Sequence, residues 1–420
     1  MRKFLSFIII IISITSIISC AGNYESNNNY IKGKDAQYMY MGMNSQQYIT
    51  ASNEGYYFIN GLYLYYCDFN GMEPIVLCNK LNCLHDKEID SSKKYNCNGF
   101  LITGVTPKLL TIYDGYIYCD IEADFLKDSF NPELIRISLD GDKRETVCKL
   151  ESDIYSMALH RGKLYYSVSK LSLESDDAEK GIYQYTLKEY DILNSGSEIK
   201  ELFTGKLVDG SISNIIPIGE NLIFSESGFD QESEKIIVYD SLYNIKNNKR
   251  YKIAEDISAD TIGSFGISNK NLVILPRKLD GNNYITDNKL YEYNLETKES
   301  KVLFNKEFEG TFYYSDDNYI YVDNTKYFSF EEKNDENYSR RLVIYNKKGE
   351  KIETIDVSDI EDYFLFNSGD ENYMFVKGEN EEGAYIKYID KSKIGTGNAK
   401  LETLFELESK YLDMSVSKDK

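Results

Sequence analysis

Three cysteines and one histidine lie close together near the start of the chain, at Cys78, Cys83, His85 and Cys97. Thiolate sulfur and imidazole nitrogen are the ligands that structural zinc sites use, in tetrahedral sets of four. The spacing, C-x4-C-x-H-x11-C, is not one of the common zinc patterns. The residue types nevertheless predict a candidate zinc site made of these four side chains.

A disulfide is the alternative for the same four residues. Two cysteines in one loop usually oxidise outside the cell. The export pattern at residues 1–18 therefore favours a disulfide over a metal site. Three cysteines leave one thiol over, which weakens a pure disulfide account, and an oxygen-free habitat would favour metal. Both alternatives therefore stay open, together with a third in which the thiols are inert.

Recognised catalytic motifs are missing from the sequence: it has no G-x-S-x-G elbow, P-loop or dinucleotide fingerprint. The second of the 2 histidines, His160, is expected at the surface or at a channel mouth beside Arg161, without a partner that would make it a base. Paired carboxylates for glycan chemistry could come from any of the 68 acidic residues, so they single out no site.

The composition excludes some classes of partner and fold. Of 420 residues, 48 are Lys or Arg and 68 are Asp or Glu, which gives a formal net charge of −20. Such a balance argues against nucleic acid as a partner, because phosphate binding needs a basic surface. Hydrophobic residues make up 42% of the chain, enough for a sizeable core.

The N-terminus has the pattern of an export signal: a basic start at residues 1–3 and an apolar run at 4–18, too short for a membrane-spanning helix. The sequence Ile-Ile-Ser-Cys-Ala that follows resembles the lipobox of bacterial lipoproteins. That resemblance implies lipid on the thiol of Cys20 and cleavage before it, so 1–19 is the expected signal peptide. An ordinary secretory signal with an incidental cysteine is the alternative.

A lipid on Cys20 would anchor the mature chain on the outer face of the bacterial cell membrane, which makes the membrane its first expected partner. Residues 20–36 are polar and rich in Asn. Nothing in that segment can bury an apolar face, so it is expected to be a flexible tether between the lipid and the folded domain.

A strand-like apolar triplet recurs seven times, at intervals of 47 to 60 residues. The triplets begin at Tyr56, Tyr116, Leu164, Leu222, Leu272, Tyr319 and Tyr373. After each comes a second apolar strand that ends in an acid or amide suited to a tight turn. Those turn residues are Asp68, Asp140, Asp191, Asp240, Asn294, Asn346 and Asp390.

One more strand on each side of this pair gives four antiparallel strands per unit. Seven such units at this period predict an all-β fold, a seven-bladed β-propeller, over 37–410, with a Cys-rich insertion at 78–100 and a tail at 411–420. A pair of β-sandwiches or an open β-solenoid is the alternative. Residues 37–43 are expected to form one more strand, which could close the ring against the last blade.

Strand order, a to d from the centre outward, determines which segments share a side. The a–b and c–d turns lie on one side of a propeller, and the b–c and d–a connections lie on the other. The predicted b–c loops are long and acidic, so they are the expected functional side. Their acids are Glu122, Asp124, Asp128, Glu174, Asp176, Asp177, Glu179, Asp230, Glu232, Glu234, Asp280, Asp287, Glu331, Glu332, Asp335, Glu336, Glu379, Glu381 and Glu382.

The remaining cysteines are expected to be small core side chains. Cys119 and Cys148 fall on strands b and d of blade 2, roughly 9–10 Å apart by the strand spacing. That separation exceeds the ~7 Å that a disulfide allows between Cα atoms. Cys67 falls at the end of strand c in blade 1.

The run Cys-Asn-Lys-x-x-Cys-x-His-Asp at 78–86, ahead of Cys-Asn at 97–98, resembles a group of lipoproteins from low-GC Gram-positive bacteria such as clostridia. That group is similar to YWTD-type or Tol-type propellers and is mostly described as domains of unknown function. The resemblance covers the lipobox, the blades and the Cys-rich insertion. It implies the fold and the anchor, and it implies no activity.

The sequence therefore favours a binding protein over an enzyme. The expected ligand is an extracellular protein, peptide or glycan held on the acidic b–c side. Two alternatives remain: a glycan-active lyase or hydrolase that uses carboxylates, and a scaffold in envelope assembly. The ligand-binding residues cannot be named from the sequence.

Overall fold

The computed structural model describes the propeller and part of the segment before it. Residues outside this description include Cys20 with the predicted signal peptide, 36–47, where the extra strand was expected, and the tail at 411–420. No helix among the described residues is long and apolar enough to cross a membrane. The described residues are 31, 34–35, 48–69, 74–101, 108–121, 132–172, 182–194, 196–205, 207–230, 233–268, 271–280, 283–286, 289–304, 308, 310–324, 339–360, 368–380 and 383–408.

The chain forms a seven-bladed β-propeller in which each blade is an antiparallel sheet of four consecutive strands. Blade 5 carries one additional short strand. The first three blades are β1 (Ile49–Ala51), β2 (Gly55–Asn60), β3 (Tyr63–Asp68) and β4 (Ile75–Val76); β5 (Leu110–Tyr113), β6 (Tyr116–Ile121), β7 (Glu133–Ser138) and β8 (Arg144–Lys149); and β9 (Ile154–His160), β10 (Lys163–Ser172), β11 (Ile182–Asp191) and β12 (Lys200–Thr204).

The other four blades follow in chain order. They are β13 (Val208–Ile218), β14 (Asn221–Asp230), β15 (Lys235–Asn244) and β16 (Lys249–Lys252); β17 (Thr261–Ser268), β18 (Asn271–Asp280), β19 (Asn283–Ile285), β20 (Leu290–Asn294) and β21 (Ser300–Phe304); β22 (Thr311–Ser315), β23 (Tyr319–Asp323), β24 (Arg341–Asn346) and β25 (Lys351–Asp356); and β26 (Ser368–Gly369), β27 (Tyr373–Asn380), β28 (Gly383–Asp390) and β29 (Leu401–Glu408).

The seven predicted triplets all lie on the second strand of a blade, as expected. Both faces of that strand are buried against neighbouring blades, which explains why the triplets are apolar without alternation. In β2, Tyr56 and Phe58 pack towards blade 7, whereas Tyr57 and Ile59 pack towards blade 2. The core therefore consists of apolar layers between adjacent blades all the way round the ring.

Side-chain packing between blades 1 and 7 closes the ring. Phe58 and Phe405 lie edge to face with ring centroids 5.5 Å apart, and Tyr56 meets Phe375 at 4.9 Å. The hydroxyl of Tyr56 also donates a hydrogen bond to the Asp370 carboxylate of blade 7. Blade 7 completes its sheet with its own four strands.

The expectation that the c strand of blade 4 ends at Asp240 was wrong. The strand runs on to Asn244, where its turn begins. Asp240 lies buried in mid-strand and accepts hydrogen bonds from Ser225 and Thr261. A carboxylate with such partners can be buried inside a sheet, so the acid alone did not mark a turn.

Three predicted b–c loops are largely strand. In blade 4 the strand pairing continues to Asp230 opposite Lys235, and in blade 7 it continues to Asn380 opposite Gly383. In blade 5, β18 reaches Asp280 and pairs with β19. These hairpins extend beyond the well-buried part of each blade. The sequence of these segments is polar, as in a loop, because their side chains are not buried. Backbone hydrogen bonds between the two strands nevertheless keep them in β-structure.

Part of the predicted tether contacts the propeller. The guanidinium of Arg161, in the a–b turn of blade 3, forms two hydrogen bonds with the carboxylate of Asp35, at 2.6 and 2.9 Å. The Arg161 amide donates to the Lys34 carbonyl, and Asp35 is only 3% exposed. The segment at 34–35 is thus docked on the a–b side.

Candidate metal centre

The Cys-rich insertion joins blade 1 to blade 2 and is held at both ends by the backbone of blade 1. The Leu77 amide donates to the Leu64 carbonyl at 2.9 Å, and the Leu64 amide donates to Gly99 at 2.8 Å. The Leu101 amide donates to the Leu62 carbonyl at 2.7 Å. Both ends of the insertion therefore lie next to the b–c turn of blade 1.

Two tyrosines of β3 fix the middle of the insertion. His85 begins a short 3₁₀ turn, His85–Lys87, with a left-handed φ of 54°. Residues other than glycine adopt this region uncommonly, and His does so more often than most. Its carbonyl accepts a hydrogen bond from Tyr63 at 2.9 Å, and the Asp86 carboxylate accepts one from Tyr65 at 3.2 Å. These bonds hold the imidazole in place from the backbone side.

A short helix, α1 (Ser91–Lys94), returns the chain to the cluster. Asp90 caps this helix by accepting a hydrogen bond from the Ser92 amide at 3.0 Å. The amide of Cys97 then donates to the Lys94 carbonyl at the helix end, at 3.0 Å. The cap and the final turn together determine where the last cysteine of the motif lies.

One ligand atom from each of Cys78, Cys83, His85 and Cys97 lies within 4.8 Å of the other three. The sulfur of Cys97 is 3.7 Å from Nδ1 of His85. Zinc–sulfur bonds of about 2.3 Å place tetrahedral sulfurs roughly 3.8 Å apart, so a small contraction would complete the geometry. The arrangement could hold a metal ion with four protein ligands and no open position.

The thiols of the cluster have different environments. Burial raises the pKa of the Cys97 thiol, and the nearby Cys78 adds to that effect. Partial burial also opposes ionisation of Cys78, but amide N–H groups, including that of Asn98 at 3.4 Å, outweigh it and hold the pKa below its ordinary value. Cys78 is thus better prepared than Cys97 to bind as a thiolate.

The other described cysteines are free and lie away from this cluster. Strand β7 lies between the strands that carry Cys119 and Cys148, as the sequence predicted. Burial raises the pKa of Cys119 and of Cys67 to about 12, and that of Cys148 to about 11. These three thiols are therefore protonated and unreactive at neutral pH.

A cavity of about 300 Å³ lies between the insertion and the outer strands of blade 2. Lys80, Tyr95 and Cys97 line it from the insertion, and Glu133, Arg144 and Thr146 line it from blade 2. The sequence analysis did not single out this place. In the sequence, the spacing of Arg144 and Thr146 places both side chains on one face of a strand. That spacing does not reveal which part of the chain covers the face.

The structure corrects the expectation for His160. This side chain is 2% exposed, and its Nε2 atom lies 2.8 Å from the carbonyl oxygen of Gly219 in blade 4. Burial lowers the pKa of the imidazole, which keeps it neutral. His160 thus joins two a–b turns inside the protein and is neither a surface residue nor a channel-mouth residue.

Most acids of the predicted functional side lie outside the described residues. Asp230, Glu234, Asp280 and Glu379 are described, and they lie near the tips of the hairpins of blades 4, 5 and 7. Glu234 and Asp280 are exposed. The described hairpin tips thus carry acids, and the Cys-rich insertion borders the same side at blade 2.

Comparisons with known proteins identify the fold. No family model matches this chain, and no curated protein matches it. It is similar to a solved prolyl endopeptidase with a TM-score of 0.51 and 9% identity, over 89% of this chain and 51% of that one. An acylaminoacyl peptidase is similar with a TM-score of 0.50 and 12% identity, over 89% and 52%.

TolB from Acinetobacter baumannii matches with a TM-score of 0.36 and 12% identity, over 76% of this chain and 64% of TolB. This chain spans about half the length of the two peptidases. At these identities the likeness shows the propeller fold alone.

Proposed function

We propose that this protein is a lipid-anchored β-propeller that binds an extracellular protein, peptide or glycan on its b–c side. The proposed anchor is lipid on Cys20, on the outer face of the bacterial membrane. Long hairpins on a rigid ring suit recognition, because the scaffold limits the entropy lost on binding.

One observation carries this proposal: the segment that follows the proposed anchor docks on the a–b side, through Asp35 and Arg161. Fifteen residues separate Cys20 from Asp35, a reach of at most about 50 Å. An anchor that reaches the ring from the a–b side turns that side towards the membrane. The acidic b–c side then faces outward, where it can meet a partner.

Covalent capture with the full chain in detergent tests the binding function. The test variant neutralises the hairpin tips by Asp230→Asn, Glu234→Gln and Asp280→Asn. A matched control neutralises three exposed acids of c–d turns by Asp142→Asn, Glu198→Gln and Glu296→Gln. Capture of a defined partner should fall at least tenfold in the first variant only. Equal capture by both variants would contradict a binding role for the b–c side.

The anchor is tested separately by Cys20→Ser. This variant should lose lipid labelling and cleavage before residue 20, and the protein should leave the membrane fraction or stay unprocessed. Full lipid labelling and cleavage in this variant would show that Cys20 is not the modified residue.

We infer that the four-residue cluster binds zinc as a structural ion. Support comes from His85, because a disulfide would need two thiols and no imidazole, whereas the tetrahedral zinc set needs all four side chains. Protein purified without oxygen should contain about one zinc per chain. Cys83→Ser should lose the metal, and Cys148→Ser, a thiol outside the cluster, should keep it. Wild-type protein without metal, with two cluster cysteines oxidised, would establish the disulfide instead.

A further inference from the structure

We propose that the cavity beside the Cys-rich insertion binds a small ligand through its carboxylate, with Arg144 as the anchoring side chain. The volume of about 300 Å³ lies at the lower end of the range for ligand pockets, so the ligand is small. This assignment deepens the proposed binding function and rests on it for its biological role.

Arg144 is a partly buried cation that forms no direct ion pair with another described residue. Its Nη1 atom donates to the carbonyl oxygens of Phe100 and Asn98, which attach it to the insertion. Among the described residues, no carboxylate lies within 4.0 Å of the guanidinium. Glu133, in the same cavity, attracts the guanidinium without touching it. An anion bound directly to the guanidinium would compensate the sheltered charge more fully.

The guanidinium has donors to spare. It carries five N–H groups, and in the described structure only those on Nη1 are used. The remaining N–H groups form a planar fork that matches the two oxygens of a carboxylate. The geometry therefore favours a flat, singly charged group over a spherical anion.

The neighbouring charges favour the same ligand. Lys80 adds a second cation on the insertion side, where its Nζ atom donates to the Asn96 carbonyl at 2.7 Å. Glu145, at the cavity wall, is already paired with Arg136 by two hydrogen bonds of 2.7 and 2.8 Å. Glu133 accepts a hydrogen bond from Thr146 at 2.9 Å and keeps one negative charge in the cavity.

That single negative charge limits the total charge of the ligand. A phosphate dianion would be repelled by Glu133 and would leave one of its charges unpaired. A monoanionic carboxylate pairs with Arg144 and leaves Lys80 as a second cation in the lining of a cavity that also holds Glu133. The carboxylate could belong to a free acid or to the end of a peptide chain, since the recognising chemistry is the same.

Calorimetric titration of the full chain in detergent tests the assignment. Propionate probes the free acid and acetyl-glycyl-glycine the chain end, each with its amide as the uncharged control. At least one acid should bind, and its amide should bind at least tenfold more weakly. A tenfold advantage for acetyl-glycyl-glycine over propionate would identify the chain end. Failure of both acids to bind, or binding of an acid and its amide with equal affinity, would overturn the proposal.

Variants locate the binding. Arg144→Gln should weaken it at least tenfold, Arg144→Lys should retain part of it, and Glu133→Gln should leave it equal or tighter. Unchanged affinity in Arg144→Gln, or loss of affinity in Glu133→Gln, would place the carboxylate elsewhere. Unchanged metal content in Arg144→Gln shows that the insertion is intact. Carboxylate binding and partner capture by the b–c hairpins are measured separately, so either can fail alone.

Discussion

At the scale of single residues, the stability of the protein depends on buried charges with well-chosen partners. The carboxylate of Glu226 is fully buried in blade 4. It accepts hydrogen bonds from Tyr185 of blade 3, Tyr239 and Ser241, and it pairs with Arg250 at 2.9 Å. Such a network holds two blades together because every acceptor site is used.

Glu226→Ala should lower the free energy of unfolding by about 3 kcal/mol, because it orphans several hydroxyl groups and the guanidinium at once. The control is Glu145→Ala, which breaks the exposed pair with Arg136 and should cost less than about 1 kcal/mol. Urea denaturation measures both. Equal losses would show that burial of the network contributes nothing.

Asp120 predicts a pH dependence of stability. Burial raises its pKa to about 6, even though the Leu109 amide donates to the carboxylate at 2.8 Å. A raised pKa in the native state means that ionisation of Asp120 opposes folding. Its contribution to the free energy of unfolding is therefore fully present below pH 4 and is lost as the pH rises through 6.

Asp120→Asn removes that charge and keeps the acceptor for Leu109. Relative to wild type, the variant should gain about 2 kcal/mol more at pH 7 than at pH 4.5. Urea denaturation at the two pH values gives this difference. The same relative stability at both values would mean that Asp120 stays close to its ordinary pKa.

At the scale of elements, the turn between β7 and β8 packs against the candidate metal cluster of Cys78, Cys83, His85 and Cys97. Gly141 in that turn has a φ of 71°, and a Cβ atom there would lie 2.9 Å from the amide nitrogen of Cys78. The turn is therefore packed against the first ligand of the cluster. Both the positive φ of Gly141 and its lack of a side chain are needed for this close approach to Cys78.

Gly141→Ala should weaken zinc retention at least tenfold, because the added methyl group pushes against the backbone of Cys78. Gly115→Ala is the matched control, with a φ of 79° and nothing within 4 Å of the added Cβ atom. It should cost about 1 kcal/mol from backbone strain and keep the metal. Competition with a coloured chelator measures retention. Equal retention by both variants would remove the role given to this turn.

The docked segment at 34–35 is a second element, and its charged contact with the propeller is the pair between Asp35 and Arg161. Arg161→Gln removes the pair with Asp35 and should speed amide exchange at Asp35 by at least tenfold, because the segment loses its charged anchor. Arg136→Gln, at an exposed pair, is the control and should leave that exchange unchanged. Hydrogen exchange with mass spectrometry reads both. Protection that survives in Arg161→Gln would show that other contacts hold the segment.

At the scale of the whole molecule, the ring is sealed where blade 1 meets blade 7. Phe375→Ala should cost about 3–5 kcal/mol, because its ring is 1% exposed and fills the layer beside Tyr56. Phe229→Ala removes a ring that is 38% exposed on a hairpin and should change stability by less than about 1 kcal/mol. Thermal unfolding compares the two, and similar shifts would contradict closure by this layer.

The architecture could be predicted because one sequence pattern, a strand with apolar residues on both faces, is repeated in every blade. Tyr57 and Phe58 face opposite neighbours, so the strand is apolar throughout, and six further copies confirm the pattern. The burial of His160 could not be predicted, because its partner is a carbonyl oxygen of the next blade. The cavity at Arg144 depends on how the insertion folds back over blade 2, which no local pattern encodes.

The four residues of the candidate metal cluster could be predicted because they lie within twenty residues of one another in the sequence.

The order in which distant segments of the chain meet has a consequence for biosynthesis. Phe58 faces blade 7, yet its partner Phe405 comes 347 residues later in the chain (405 − 58 = 347). A nascent chain must therefore hold this apolar face uncovered until blade 7 has been synthesised, and during that interval a chaperone or a strand of another chain can reach it first.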